Sequence, residues 1–116
     1  DRAKDLIIVS GFNVYPSEVE DVIHEVDGVA EVAVVGVPAE ETGEAVLAFV
    51  VPEADAPAEA MLSAAIDEHC RTRLARFKHP SRIVAVEGLP HSPTGKVAKG
   101  RLRAMARGEL LNLGPS

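Results

Sequence analysis

Two runs rich in valine, Val29–Val37 and Ala45–Val51, constrain this chain more than any other feature. Branched side chains crowd a helix and pack well on a pleated surface. Both runs therefore read as well-buried strands. Each is closed by a proline, Pro38 and Pro52, and the link Pro38–Glu44 contains Gly43, so a hairpin is expected.

The elements around that hairpin follow from local signals. Leu6–Val9 reads as a short strand and Ser10-Gly11-Phe12-Asn13 as a tight turn, because Gly and Asn tolerate positive φ. Val14 and Tyr15 stay extended ahead of Pro16, which suits the first position of a helix. Val19, Val22, Ile23 and Val26 fall on one helical stripe, with Glu18, Glu20 and Asp21 in the early turns. Gly28 is the expected stop. After a turn at Pro52–Pro57, Ala58–Arg76 reads as a long helix with Leu62, Ile66 and Leu74 inward, broken by Lys78-His79-Pro80. Arg82–Val86 is a third strand, Gly88–Gly95 a loop, Val97–Arg107 a basic helix weakened by Gly100, and Asn112–Ser116 a frayed end. This order predicts an α+β fold. Its small mixed or antiparallel sheet has about three main strands plus an N-terminal two-stranded hairpin, flanked by three helices.

The chain has 116 residues, enough for one domain without disulfides, and its single Cys70 cannot form one internally. A reducing, cytoplasmic setting is the expectation. No apolar run is long enough to span a membrane, and no signal peptide opens the chain. Aromatics at 3% and the lack of Trp argue against stacking on single-stranded nucleic acid.

The net charge of −6 hides an asymmetry. Residues 1–70 carry 16 acids and two bases, net −14; residues 71–116 carry ten bases and two acids, net +8. Two solvated faces that attract each other in the fold explain this split. A basic surface near a phosphorylated ligand is the sharper reading.

The segment Pro90-His91-Ser92-Pro93-Thr94-Gly95-Lys96 is the clearest candidate site. Two prolines and a glycine stiffen the backbone, and one lysine ends it. A mobile point charge on an ordered base suits a phosphate or a carboxylate. An ordinary surface lysine fits the same residues. The segment is not a Walker loop, since Pro90 replaces the first glycine and Val97 the magnesium-binding hydroxyl. His24, His69, His79 and His91 lack metal-ligand spacing and read as surface or capping residues. His69 and Cys70 point about 100° apart on a helix and cannot act as a base and nucleophile pair.

Residues 1–20, with Asp1-Arg2-Ala3-Lys4-Asp5 leading into Gly11-Phe12-Asn13-Val14-Tyr15-Pro16, and residues 90–99, with Thr94-Gly95-Lys96, carry a family resemblance. Together they resemble the C-terminal domain of the adenylate-forming superfamily. That superfamily holds acyl-CoA synthetases, peptide-synthetase adenylation domains and beetle luciferases. The likeness runs from Asp1 to about Arg107, so residues 1–107 are expected to be the lid domain and 108–116 a flexible tail. It implies that the chain begins partway through a larger ligase, whose N-terminal core domain binds Mg-ATP and a carboxylic acid.

What the resemblance implies for single residues is specific. Lys96 is the catalytic lysine of adenylation. Lys4 is the hinge about which the domain rotates before thioester formation with CoA. The Ser10–Asn13 hairpin (Ser10, Gly11, Phe12, Asn13) then faces CoA, with Gly11 letting backbone pass close to the pantetheine arm. Arg2, Thr94 and Gly95 lie near the nucleotide. No metal ligand is implied on this chain. Ile8 stands where luciferases carry a second lysine, so a luciferase-type oxidative step is not implied. The expected partners are the core domain, CoA and the acid, with no nucleic acid and no membrane span. The basic stretch Arg71–Arg107 is a candidate surface for the CoA phosphates. Two other readings stay open. One is a peptide-synthetase domain that serves a carrier protein; the other is a non-catalytic α+β binding module.

Overall fold

The computed structural model describes residues 6–112. Its elements run β1 (Ile7–Val9), β2 (Phe12–Val14), α1 (Pro16–His24), β3 (Val29–Ala39), β4 (Gly43–Pro52), α2 (Glu59–Arg73), a 3-10 turn (Arg76–Lys78), β5 (Arg82–Ala85) and α3 (Lys99–Asn112). The α+β expectation holds, with three main strands, an N-terminal hairpin and three helices.

β4 organises the sheet. Along one side it pairs antiparallel with β3, from Ala39↔Gly43 to Val29↔Pro52. Its other side is shared. β1 meets its start through Val9↔Gly43, and β5 runs parallel beside Leu47–Val50. The parallel pair is joined through α2, as a strand-to-strand crossover requires.

Both faces of the sheet are covered, which explains why the valine runs do not alternate with polar residues. Val46, Ala48 and Val50 face a core built with Val19 and Ile23 of α1 and Leu62, Ile66 and Cys70 of α2. Leu47, Phe49 and Val51 face the other way, onto Leu89, Leu102 and Ala106. Gly28, at φ +101, turns the chain from α1 into β3.

The boundaries differ in three places. Pro38 lies inside β3, opposite Glu44, rather than closing the strand. β3 pairs only with β4 among the described residues, and an edge strand tolerates a missing N–H. α2 stops at Arg73, because Leu74 turns extended (φ −123) and buries its side chain beside the α1–α2 core. The ring N–H of His79 donates to the Leu74 carbonyl at 3.0 Å and secures that ending. α3 starts at Lys99, so Gly100 sits in its first turn, where it costs the helix little.

Candidate functional site

The N-terminal hairpin is tighter than the sequence suggested. Val9 pairs with Phe12, leaving only Ser10 and Gly11 in the turn; Phe12 and Asn13 belong to β2. Ser10 has φ +52 and Gly11 φ +84, the two positive angles of a type I′ turn. Two bonds fasten this hairpin to the main sheet. The Ser10 N–H donates to the Thr42 carbonyl at 2.8 Å, and the Ile8 N–H donates to Glu44 Oε1 at 2.7 Å. A Cβ added at Gly11 would meet nothing within 4 Å, so the tip is open to an approaching group.

A cleft of about 500 Å³ runs beside this tip, lined by Ser10, Phe12, Thr42, Arg76, Phe77, His79 and Ser81 among others. The Phe12 and Phe77 rings stack with centroids 4.6 Å apart. In the sequence Arg76 counted only as part of the basic stretch and His79 as a surface or capping histidine, while Phe77 and Ser81 did not stand out. With aromatics so scarce, the two phenylalanines were the one available signal.

The lysine loop is a miniature hairpin. Gly95 N–H donates to the Ser92 carbonyl at 2.9 Å, closing a turn with Pro93 at its second position. Gly95 then takes φ +89. Ser92 N–H donates to the Lys96 carbonyl at 2.7 Å, and Ala98 N–H to the Pro90 carbonyl at 2.9 Å. The Ser92 and Thr94 hydroxyls share a 2.8 Å bond across the turn. The backbone under Lys96 is thus fixed, while Thr94, Gly95 and Lys96 are exposed. The Lys96 ammonium has no hydrogen-bond or ion-pair partner among the described residues.

The two features lie at opposite ends of the sheet. The hairpin tip adjoins Gly43, at the start of β4. Val97, next to Lys96, adjoins Ala30–Val32, which lie across from the far end of β4 near Val50–Pro52. Gly43 and Val50 are separated by roughly 24 Å of extended strand.

Part of the charge split resolves into contacts within the domain. Lys78 reaches Glu18 at 2.9 Å, Lys99 reaches Glu20 at 2.9 Å, and Arg73 reaches Glu25 at 2.8 Å. Three carboxylates of the α1 segment thus meet three cations from the basic half. Among the described residues Arg76 is the one arginine or lysine of the basic stretch that lines the hairpin cleft; Arg101 and Arg103 ride on α3, which packs on the opposite sheet face. His24 and His79 bond to main-chain carbonyls, and His69 bonds to Glu25. No cluster among the described residues could hold a metal ion. No helix among them is long and apolar enough to cross a membrane. Arg2 and Lys4 lie outside the described residues.

A mixed sheet with a glycine-tipped hairpin at one end and a stiffened lysine loop at the other defines a small α+β module. The profile of the AMP-binding enzyme C-terminal domain matches residues 18–96, and the chain belongs to that family. It is 48% identical over 103 residues to the long-chain-fatty-acid–CoA ligase FadD13 of Mycobacterium tuberculosis, covering 89% of this chain and 20% of that protein. It is 46% identical over 112 residues to the long-chain-fatty-acid–CoA ligase of Salmonella typhimurium, covering 97% of this chain and 19% of that one. A solved Mycobacterium tuberculosis fatty acyl CoA synthetase superposes with a TM-score of 0.82 at 46% identity, over 94% of this chain and 21% of that chain. The chain thus spans about a fifth of the length of these relatives.

Proposed function

We propose that this domain is the mobile lid of an ATP-dependent, cytoplasmic acyl-CoA ligase and serves two half-reactions with its two ends. The observation that carries the reading is the placement of Lys96 and the Ser10–Gly11 tip at opposite ends of one rigid sheet. A single orientation against a core domain presents one of them and withdraws the other. Rotation about Lys4 exchanges them, with residues 1–107 moving as the lid.

In the first half-reaction a substrate carboxylate oxygen attacks the α-phosphorus of ATP and pyrophosphate leaves. Two anions approach, and the Lys96 ammonium offsets their repulsion. An exposed ammonium with no partner among the described residues, on a hydrogen-bonded turn, supports this role. Thr94 and Gly95 hold the turn that aims it, and Arg2 lies by the nucleotide. In the second half-reaction the CoA sulfur attacks the acyl carbonyl, the bond to AMP breaks, and the thiol proton passes to solvent. The open space at Gly11 fits an arm that passes the hairpin backbone. The adjoining cleft offers ring faces and the Arg76 guanidinium to a nucleotide end.

Separating the half-reactions in the full-length enzyme tests this. Lys96→Ala is expected to slow adenylation by about 10²–10³, the usual effect of removing one such charge contact. Transfer from supplied acyl-adenylate to CoA should stay near wild type. Lys4→Pro is expected to spare adenylation and block transfer. Equal loss of both half-reactions in Lys96→Ala overturns the assignment.

A further inference from the structure

The hairpin tip is braced from behind by a closed ring of contacts. β2 leads through Tyr15 straight into α1, where Glu18 occupies the first turn. Glu18 holds the Lys78 ammonium with both carboxylate oxygens, at 2.9 and 3.0 Å. Lys78 lies with its Nζ 5.7 Å from the centre of the Phe77 ring, and Phe77 stacks on Phe12 of β2. The ring therefore runs from Phe12 along the chain to Glu18, across to Lys78, and back through Phe77.

The 3-10 turn that carries Phe77 and Lys78 is itself anchored. Lys78 N–H donates to the Ala75 carbonyl at 2.9 Å, and Ser81 N–H donates to the Val46 carbonyl at 2.8 Å. Phe12 is the exposed member, at 56%, one residue past the tip, and only Phe77 backs it within the aromatic pairing. Lys78 is the less exposed partner of its pair, with 22% of its side chain accessible against 44% for Glu18. A cation fixed over a ring and tied to a carboxylate has few other rotamers, so it limits how far Phe77 can swing.

We infer that Glu18 and Lys78 are positioning residues for thioester formation, acting on CoA through Phe77 and Phe12. This rests on the reading of the hairpin as the CoA-facing end. Neither side chain lines the hairpin cleft, so their effect passes through the aromatic pair. A small displacement of a positioning group suffices to slow a reaction.

The test uses the full-length enzyme with Lys78→Met, Glu18→Gln, the double variant and Lys78→Arg, and Gly11→Leu as a control on the underlying reading. Transfer to CoA and adenylation are measured separately. Each single variant is expected to lower the second-order rate constant for CoA by roughly fivefold, the size that a partly exposed ion pair can supply. The change should lie mainly in KM for CoA, with adenylation unchanged. The double variant should lose no more than either single one, because both remove the same contact. Lys78→Arg should restore most of the loss. Full activity in Glu18→Gln with loss in Lys78→Met means that Lys78 acts alone, and overturns the inference. Parallel loss of adenylation also overturns it, because the pair then serves only the fold. If Gly11→Leu leaves transfer intact, the CoA-facing reading fails. If Gly11→Leu blocks transfer and the pair variants do not, the bracing alone fails.

Discussion

Lys99 Nζ lies 2.9 Å from Glu20 Oε2, the same oxygen that accepts the Val34 N–H at 2.9 Å. One carboxylate thus joins α1, the edge strand β3 and the first residue of α3, just after the lysine loop. Val34 is fully buried as a residue, and Glu20 satisfies its N–H on the side of β3 away from β4. Replacing Glu20 by Ala removes this acceptor and the ion pair together. The expected cost is about 1–3 kcal/mol, typical for stranding a buried donor. In a domain of this size each kcal/mol lowers Tm by about 4–8 °C, readable by thermal denaturation. Glu20→Gln keeps an acceptor and should cost less than half as much.

Cys70 provides a pH-dependent readout. Its side chain is buried in the α1–α2 core, and burial, reinforced by the Asp67 charge, pushes the thiol pKa up to about 11. The thiol is held neutral in the folded state and ionises more easily once unfolded. This contribution to stability is complete below the ordinary thiol pKa and is lost as pH rises toward about 11. Wild-type Tm should therefore fall more steeply above pH ~9 than that of Cys70→Ala, whose lower Tm at neutral pH reflects the lost packing. At pH 7.5 alkylation of Cys70 should be slow in native protein and fast in denaturant. Rapid labelling of the native protein would contradict the burial.

How much of this was readable beforehand follows from the range of each interaction. The β3–β4 hairpin was legible because Gly43 and the valine runs act within a few residues. The Lys96 loop was legible because its prolines and Gly95 set the backbone locally. The type I′ turn was displaced by the pairing of Val9 with Phe12, which depends on register across β1 and β2 rather than on turn composition. Arg76, Phe77 and His79 reach the hairpin only because α2 ends early and β5 inserts beside β4, a crossover no local pattern encodes. The charge split was visible as a sum, but its pairing of Glu18, Glu20 and Glu25 with Lys78, Lys99 and Arg73 needed the fold.

Glu25 gives an opposite pH signature. A hydrogen bond from His69 holds its carboxyl below the ordinary range, partly offset by desolvation, with the Arg73 charge adding to the lowering. A depressed folded-state pKa stabilises above the unfolded value and is lost as pH falls through the folded one. Wild type should lose stability faster than Glu25→Gln as pH drops from about 5 to 3. The difference should shrink in high salt, since all three side chains are partly exposed. Identical acid unfolding curves for the two proteins would show that the cluster contributes nothing.

Gly36→Ala tests how the hairpin is seated. A Cβ at Gly36 would lie 2.9 Å from Glu44 Oε2 and 3.0 and 3.1 Å from Ile7 Cγ1 and Cγ2. Ile7 is 1% exposed and cannot swing into solvent, whereas the Glu44 carboxylate is the acceptor for the Ile8 N–H. Relief must therefore move β1 or break that bond. Overpacking of this kind costs about 1–3 kcal/mol, and a lowered Tm of the domain measures it. Ile7→Ala in the Gly36→Ala background removes both crowding carbons, Cγ1 and Cγ2, and should recover part of the loss, although Ile7→Ala alone destabilises. A movement of β1 also carries the Ser10–Gly11 tip, so under the proposed lid function transfer to CoA in the full-length protein should fall more than adenylation does. An unchanged Tm in Gly36→Ala would mean that β1 is seated more loosely than the Ile7 contact requires.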